Sequence, residues 1–277
     1  MQRDGKDCDC RRASLYLVPV ETTAPPAGPR QRPVLLLTTW SVLLVASAAI
    51  APWAQSALGV PYDVVSLVMF APALACAIVL IRPAWLGSWW PRATARRVLG
   101  AASIAGLAVL AFAGCLMLVS GRTPTWPPSD LVVPVGVFLG LQTIGVLCEE
   151  VGWRGLVQRA GERFARPSVV SAVAGFLFGS THLGYWSLGP LPVLVFAVTA
   201  TLMSLTITSI FIGSLWQRMI PAVIVHLGVN FSVLGLAQQD EPLATTSAAL
   251  AAAAVMLALV VGLKGAFRQL SPHRTHA

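Results

Sequence analysis

The chain has 277 residues, of which 56% are hydrophobic and only 11% charged, with a mean hydropathy of +0.74 and a formal net charge of +8. Long uninterrupted apolar runs at this composition exclude an ordinary soluble globular domain. An all-α architecture follows, because helices satisfy their own backbone groups inside a bilayer, and the expected fold is a polytopic transmembrane helical bundle of about eight spans.

In chain order, residues 1–33 are polar and contain Pro19, Pro25, Pro26, Pro29 and Pro33. They offer too little apolar area to order themselves and are expected to form a flexible cytoplasmic tail. Cys8-Asp9-Cys10 within it lacks the four ligands of a closed zinc site and reads as part of that tail. Apolar runs at about 34–58, 63–81, 98–120, 131–150, 168–186, 190–215, 219–237 and 243–263 are each close to the roughly 20 residues that a helix needs to cross the hydrocarbon core. The first run is too long for the core of a signal peptide and reads as a permanent anchor. Residues 34–265 thus form the transmembrane domain, with a second cytoplasmic tail at 266–277. No internal repeat, glycine-rich phosphate loop or soluble second domain is visible.

The bases segregate. Eighteen of the 19 fall in the tails and alternate loops that share one face, leaving Arg122 alone on the other face among Asp63, Asp130, Asp240 and Glu241. The positive-inside bias then puts both termini in the cytoplasm of a multi-pass cell-membrane protein. The net charge is a topology signal, and no nucleic-acid partner is implied; the partner is the lipid bilayer.

Against this background the polar residues within the spans stand out, because each is costly in an apolar medium unless function rewards it. The fourth run ends in Cys148-Glu149-Glu150-Val151-Gly152-Trp153-Arg154-Gly155. Glu150 and Arg154 stand at i and i+4 with the acid N-terminal, the favourable order for an ion pair along a helix. Glu149 points about 100° away around the turn and is left to face the bundle interior as a candidate base. The bland alternative is an interfacial Glu–Arg pair at a helix end.

Two of the four histidines are embedded. His182 closes Phe178-Gly179-Ser180-Thr181-His182, late in the fifth run, and His226 opens His226-Leu227-Gly228-Val229-Asn230 in the seventh. On helices, Phe178 would share a face with His182 and Asn230 with His226. Singly, each histidine reads as an interhelical hydrogen bond. Together, Glu, His, His and Asn suit hydrolysis: a carboxylate takes a proton from water, a histidine orients that water or returns a proton, and His with Asn donates to an oxyanion. No Gly-x-Ser-x-Gly or His-Glu-x-x-His motif competes. Two rival classes use the same residue types. One is a non-enzymatic peptide-binding or immunity protein; the other is a proton-coupled transporter, for which an inverted repeat would be expected.

Glu-Glu-x-x-x-Arg, Phe-x-x-x-His and His-x-x-x-Asn, in that order on successive membrane segments, resemble the CAAX-protease and bacteriocin-processing family of intramembrane endopeptidases, which includes type II CAAX prenyl endopeptidases. The resemblance covers about residues 131–237. It implies an endopeptidase that cleaves a membrane-associated peptide or protein, in some members a prenylated one. It further implies that Glu149 and His182 activate the attacking water, that His226 and Asn230 form the oxyanion site, and that Glu150 with Arg154 braces them. The family is often described as metallopeptidase. Glu149, His182 and His226 could supply three ligands of a zinc ion with water in the fourth position, or the same residues act without a cofactor; the metal-free hydrolase is the preferred reading. Counting along the spans puts Glu149 near the end of the fourth but His182 about 14 residues into the fifth, roughly 21 Å at helical rise. The fifth helix is therefore expected to begin in the cytoplasm or to tilt.

Overall fold

The computed structural model describes residues 32–86, 90–123, 125–127, 131–237 and 242–269. The N-terminal segment with Cys8 and Cys10, and residues 270–277, lie outside the described residues. Regular structure among the described residues is helical throughout. It comprises α1 (Pro33–Leu58), α2 (Leu67–Ile81), α3 (Ala95–Ser120), α4 (Val135–Gly161), α5 (Pro167–Ser180), α6 (Pro190–Ile210), α7 (Leu215–Ala237) and α8 (Pro242–Gln269). Six of these are long and apolar enough to cross a membrane, while α2 and α5 are shorter. The chain is a multi-pass membrane protein.

Helix ends follow local chemistry. Proline occupies the first turn of α1, α5 and α6, where its missing N–H has no intrahelical acceptor in any case. Gly59 and Gly121 close α1 and α3 with φ of 62° and 67°, the left-handed conformation in which a side chain would be strained.

Three of the eight expected spans differ from the helices observed. The second run yields only the short α2, which begins as a 3-10 turn and breaks again at Cys76. The turn before it is fixed by side-chain amides: Gln55 Nε2 donates to the carbonyls of Val60 (3.0 Å) and Val65 (2.8 Å), Gln55 Oε1 accepts from Leu67 N–H (2.7 Å), and Gln142 Nε2 donates to Val64 O (2.8 Å). The fourth run does not stop at Glu150; Val151–Val157 continue as a π-helix and Gln158–Gly161 as an α-turn. The fifth ends at Ser180, so His182 lies in the turn beyond the helix instead of on it.

Packing relies on small residues. The closest pair is α5 with α6: a Cβ added at Gly179 would stand 2.5 Å from Ala197 Cα, and one at Gly175 2.6 Å from Ser204 Cβ. Such small-residue seams let backbones approach where lipid offers no hydrophobic driving force. Ser171 and Ser204 join across it at 2.9 Å, with Thr208 Oγ1 donating to Ser171 at 2.8 Å. Helix α8 packs on α3 and α6, α3 on α7, and α1 on α2. Large apolar residues such as Val45, Leu110 and Leu118 point outward, as expected of a surface that meets acyl chains.

Helix α7 sets the axis of the site. At its N-terminal end, Gln217 clamps Ala93 by accepting from its N–H and donating to its carbonyl, both at 2.8 Å. At its C-terminal end, the segment after α3 folds back onto it: Thr125 N–H donates to Gly235 O (3.1 Å) and Trp126 Nε1 to Phe231 O (3.1 Å).

Candidate functional site

The π-helical stretch lies where Glu150 passes to Arg154. A single π-turn adds a residue to the helical circuit, and such insertions recur at functional sites. Here it keeps the chain helical through residues that hydropathy assigns to water: Glu150, Arg154 and Gln158 are 0%, 1% and 1% exposed. Gly152 permits the close approach of α2, since an added Cβ would stand 2.5 Å from Pro72 Cβ and 2.9 Å from the Pro72 carbonyl oxygen.

Across from this stretch, α7 presents His226, 3% exposed. Its Nδ1–H donates to Glu150 Oε1 at 2.7 Å, and its Nε2 faces Glu149 Oε2 at 3.6 Å. Glu150 Oε1 also pairs with Arg154 Nη1 at 3.4 Å. One imidazole is therefore flanked by both carboxylates: Glu150 is tied to Arg154, as spacing along one helix expects, and His226 adds a bridge from it to Glu149. A helical wheel locates neighbours on one helix; it carries nothing about a ring arriving from another. Arg154 Nε, Nη1 and Nη2 and Glu150 Oε2 have no protein hydrogen-bond partner, so this buried pair retains donor and acceptor capacity toward the site.

Phe178 joins the remaining pieces. Its ring packs edge-on against His182 (4.6 Å between centroids), His226 (5.6 Å) and Trp153 (5.8 Å), and the Arg154 guanidinium carbon stands 5.1 Å from its centre. His182 Nδ1 lies 2.8 Å from the Phe178 carbonyl oxygen. In that contact Nδ1–H is the donor, which leaves the Nε2 lone pair as an acceptor. The aromatic companion inferred for His182 is thus present, though through a turn and not a shared helix face. No hydrogen bond or ion pair connects His182 with Glu149. Asn230, one turn beyond His226, is half-buried on α7.

The expected difference in depth between Glu149 and His182 is accounted for by α4. Eleven helical residues follow Glu150, so the glutamates lie mid-helix and α5 need not begin far outside the bundle.

Glu149, His182 and His226 are not drawn into one three-ligand group. Among the described residues no group of three His, Cys, Asp or Glu side chains is placed to hold a metal ion.

Several contributors were not visible in the sequence. Trp40 donates from Nε1 to Pro72 O (3.2 Å) and packs edge-on against Trp153 (5.1 Å). Phe196 packs on His182 (4.8 Å) and is stacked in turn by Tyr185 (4.2 Å). Nothing in local spacing signals these contacts, which come from separate helices and a loop.

Residues 131–232 match the model of a family described as Rce1-like, type II CAAX prenyl endopeptidase Rce1-like. The matched segment includes all six of Glu149, Glu150, Arg154, His182, His226 and Asn230. No curated protein matches the chain.

Proposed function

Starting from that family match and the buried glutamate–histidine cluster it encloses, we propose that the protein is an intramembrane endopeptidase. Its substrate would be a membrane-associated or lipidated peptide, and it would act in the cell membrane with the basic end of the bundle and both termini in the cytoplasm. The observation that carries the reading is the single imidazole of His226 flanked by Glu150 at 2.7 Å and Glu149 at 3.6 Å. Such an arrangement is expensive in a bilayer and is suited to moving protons.

The roles follow from which atoms are already engaged. Glu150 is committed to His226 and Arg154, and so braces the ring. Glu149 has only the longer contact, beyond hydrogen-bond distance, and its carboxylate is the base. Water gives one proton to Glu149 while its oxygen attacks the scissile carbonyl carbon. His182 orients the water through the Nε2 acceptor that its Nδ1–H···O contact leaves open. The carbonyl π electrons move to oxygen, where the Asn230 amide donates to the oxyanion beside His226. Collapse breaks the C–N bond, and the proton on Glu149 passes to the departing amine. Carboxylic acid and amine are the products, with the enzyme's protons restored. The sequence needs no cofactor.

The test is processing of a candidate membrane peptide by Glu149→Gln and His182→Ala variants at matched expression. Loss of cleavage in both is expected. Cleavage at the unaltered rate by both would overturn the catalytic assignment.

A further inference from the structure

His182 stands just beyond the end of α5 and before the 3-10 turn Leu183–Leu188, so no helix backbone orients its ring. The turn itself is well tied. His182 N–H donates to Gly179 O (3.2 Å), Tyr185 N–H donates to His182 O (3.0 Å), and Trp186 Nε1 reaches back to Ser180 O (2.9 Å). From this turn His182 and Tyr185 both meet Phe196, on the second turn of α6. The Phe196 ring lies 4.8 Å from the imidazole at an inclination of 54°, and 4.2 Å from the Tyr185 ring at 18°, a stacked pair.

The contact of Nδ1 with Phe178 O at 2.8 Å selects the tautomer of His182 and fixes one atom of its ring. It leaves the ring free to swing about that hydrogen bond. Phe178 limits the swing from α5, edge-on at 4.6 Å and 80°. Phe196 limits it from a second helix and at a different inclination, and two aromatic contacts that differ in orientation define one plane for the imidazole. His182 is only half-buried, so these contacts and not enclosure must hold it. Phe196 is held in turn. Its neighbour Ala197 lies so close to α5 that a Cβ added at Gly179 would stand 2.5 Å from Ala197 Cα, and the seam thereby sets the distance between Phe196 and the end of α5.

We propose that Phe196, with Tyr185 stacked on it, is a positioning residue that holds the imidazole plane of His182 so that Nε2 keeps one direction. This role rests on the reading in which that nitrogen orients the attacking water. Phe196 touches neither water nor peptide; it acts through His182. A functional side chain is kept in productive geometry by neighbours whose own rotamers are locked by packing. A ring that swings carries its acceptor away from the water, and a misplacement of about 1 Å costs about 10²-fold in rate.

The test uses the purified full chain in detergent micelles, with isotope-labelled histidine read by NMR beside the kinetics of cleavage of a membrane peptide. The chain has four histidines, and the His182 signal is the one lost in His182→Ala. Phe196→Leu keeps an apolar side chain but removes the ring. Its His182 signal should shift and broaden as the imidazole samples further orientations, and kcat should fall by about 10–10²-fold with KM within about twofold of the parent. Phe196→Tyr keeps the ring and should keep both the signal and kcat. Phe176→Leu, the same change at an exposed ring of α5 (42% exposed), should leave both in place. An unshifted, sharp His182 signal in Phe196→Leu, or a loss of kcat shared by Phe196→Tyr or Phe176→Leu, would overturn the positioning role. Should Phe196→Leu fail to fold, Tyr185→Leu decides: removing the stacked ring should broaden the His182 signal, and a signal as sharp as the parent's would overturn the role. A parent that cleaved no peptide would overturn the peptidase reading, and the imidazole signal alone would then decide whether Phe196 fixes the ring.

Discussion

Helices α4 and α7 carry polar residues at two levels, and the levels solve the problem of burying charge in different ways. At the inner level, Glu149, Glu150, Arg154 and His226 close on one another, with both signs within one compact group. At the outer level, Arg159 and Arg218 rest on the Trp90 ring, while Arg218 and Arg163 donate to backbone carbonyls and Glu162 accepts from Trp90 and Gln158. A closed group can persist in an apolar medium because opposite charges offset part of the desolvation cost. Aromatic faces and carbonyl oxygens orient a guanidinium without carrying an opposite formal charge. The contrast makes the inner level the candidate for proton chemistry and the outer level a packed junction between α4, α7 and the segment before α3.

The largest expected effect separates the two levels by activity. Glu149→Gln keeps the shape of the side chain but cannot take up a proton, so peptide cleavage should fall by about 10²–10⁴-fold, the range for losing a general base. The unfolding midpoint should stay close to that of the parent. A variant that retained most of its activity would remove Glu149 from the chemistry and leave the inner level a structural brace.

Next comes Arg154→Ala, which leaves Glu150 buried without its cationic partner. Breaking a buried pair from one side costs about 3–5 kcal/mol, read as a lowered midpoint in chemical or thermal unfolding. Replacing both partners, as Glu150→Gln with Arg154→Met, should recover a large part of that loss. If the double variant were no more stable than Arg154→Ala, the two residues would not be acting as a pair.

How much of this was legible in the sequence depended on whether a signal was local. The helical class, the number of apolar segments and the pairing of Glu150 with Arg154 all follow from composition or from spacing along one helix. The continuation of α4 past Glu150 does not, because a hydropathy profile treats Arg154, Gln158 and Arg159 as solvated, whereas all three are buried. The turn that carries His182 was hidden for the opposite reason: the apolar run extends beyond Ser180, where the helix ends. The bridge from His226 to Glu150 and Glu149 joins residues 76 and 77 apart, and no periodicity reports such a contact. The outer arginines were visible only as a topology signal, since Trp90, over which Arg159 and Arg218 lie, stands 69 and 128 residues earlier in the chain.

A smaller effect probes the backbone between the levels. Gly152→Ala introduces a Cβ against Pro72, at 2.5 Å from its Cβ and 2.9 Å from its carbonyl oxygen. Neither neighbour is a flexible side-chain end, so α2 and α4 must move apart. Overpacking of this kind costs about 1–3 kcal/mol. Because Gly152 lies between Glu150 and Arg154, cleavage should fall along with stability. Lost stability with activity unchanged would show that the π-helical stretch tolerates displacement without disturbing the inner level.

The smallest expected effect serves as the reference for the outer level. Arg97 is exposed at the start of α3, and Arg97→Gln should change stability by no more than about 0.5 kcal/mol, as for surface substitutions away from special features. Arg218→Gln removes the same formal charge but also the guanidinium from the Trp90 face and its 2.8 Å donation from Nε to Gly213 O. Because those two contacts are lost along with the charge, its unfolding midpoint should fall further than that of Arg97→Gln. Equal midpoints would mean that the ring contact and the carbonyl contribute nothing beyond net charge, and the outer level would then reduce to the general basic bias of that end of the bundle. A larger fall for Arg218→Gln would identify it as a built cluster whose side chains are fixed by packing.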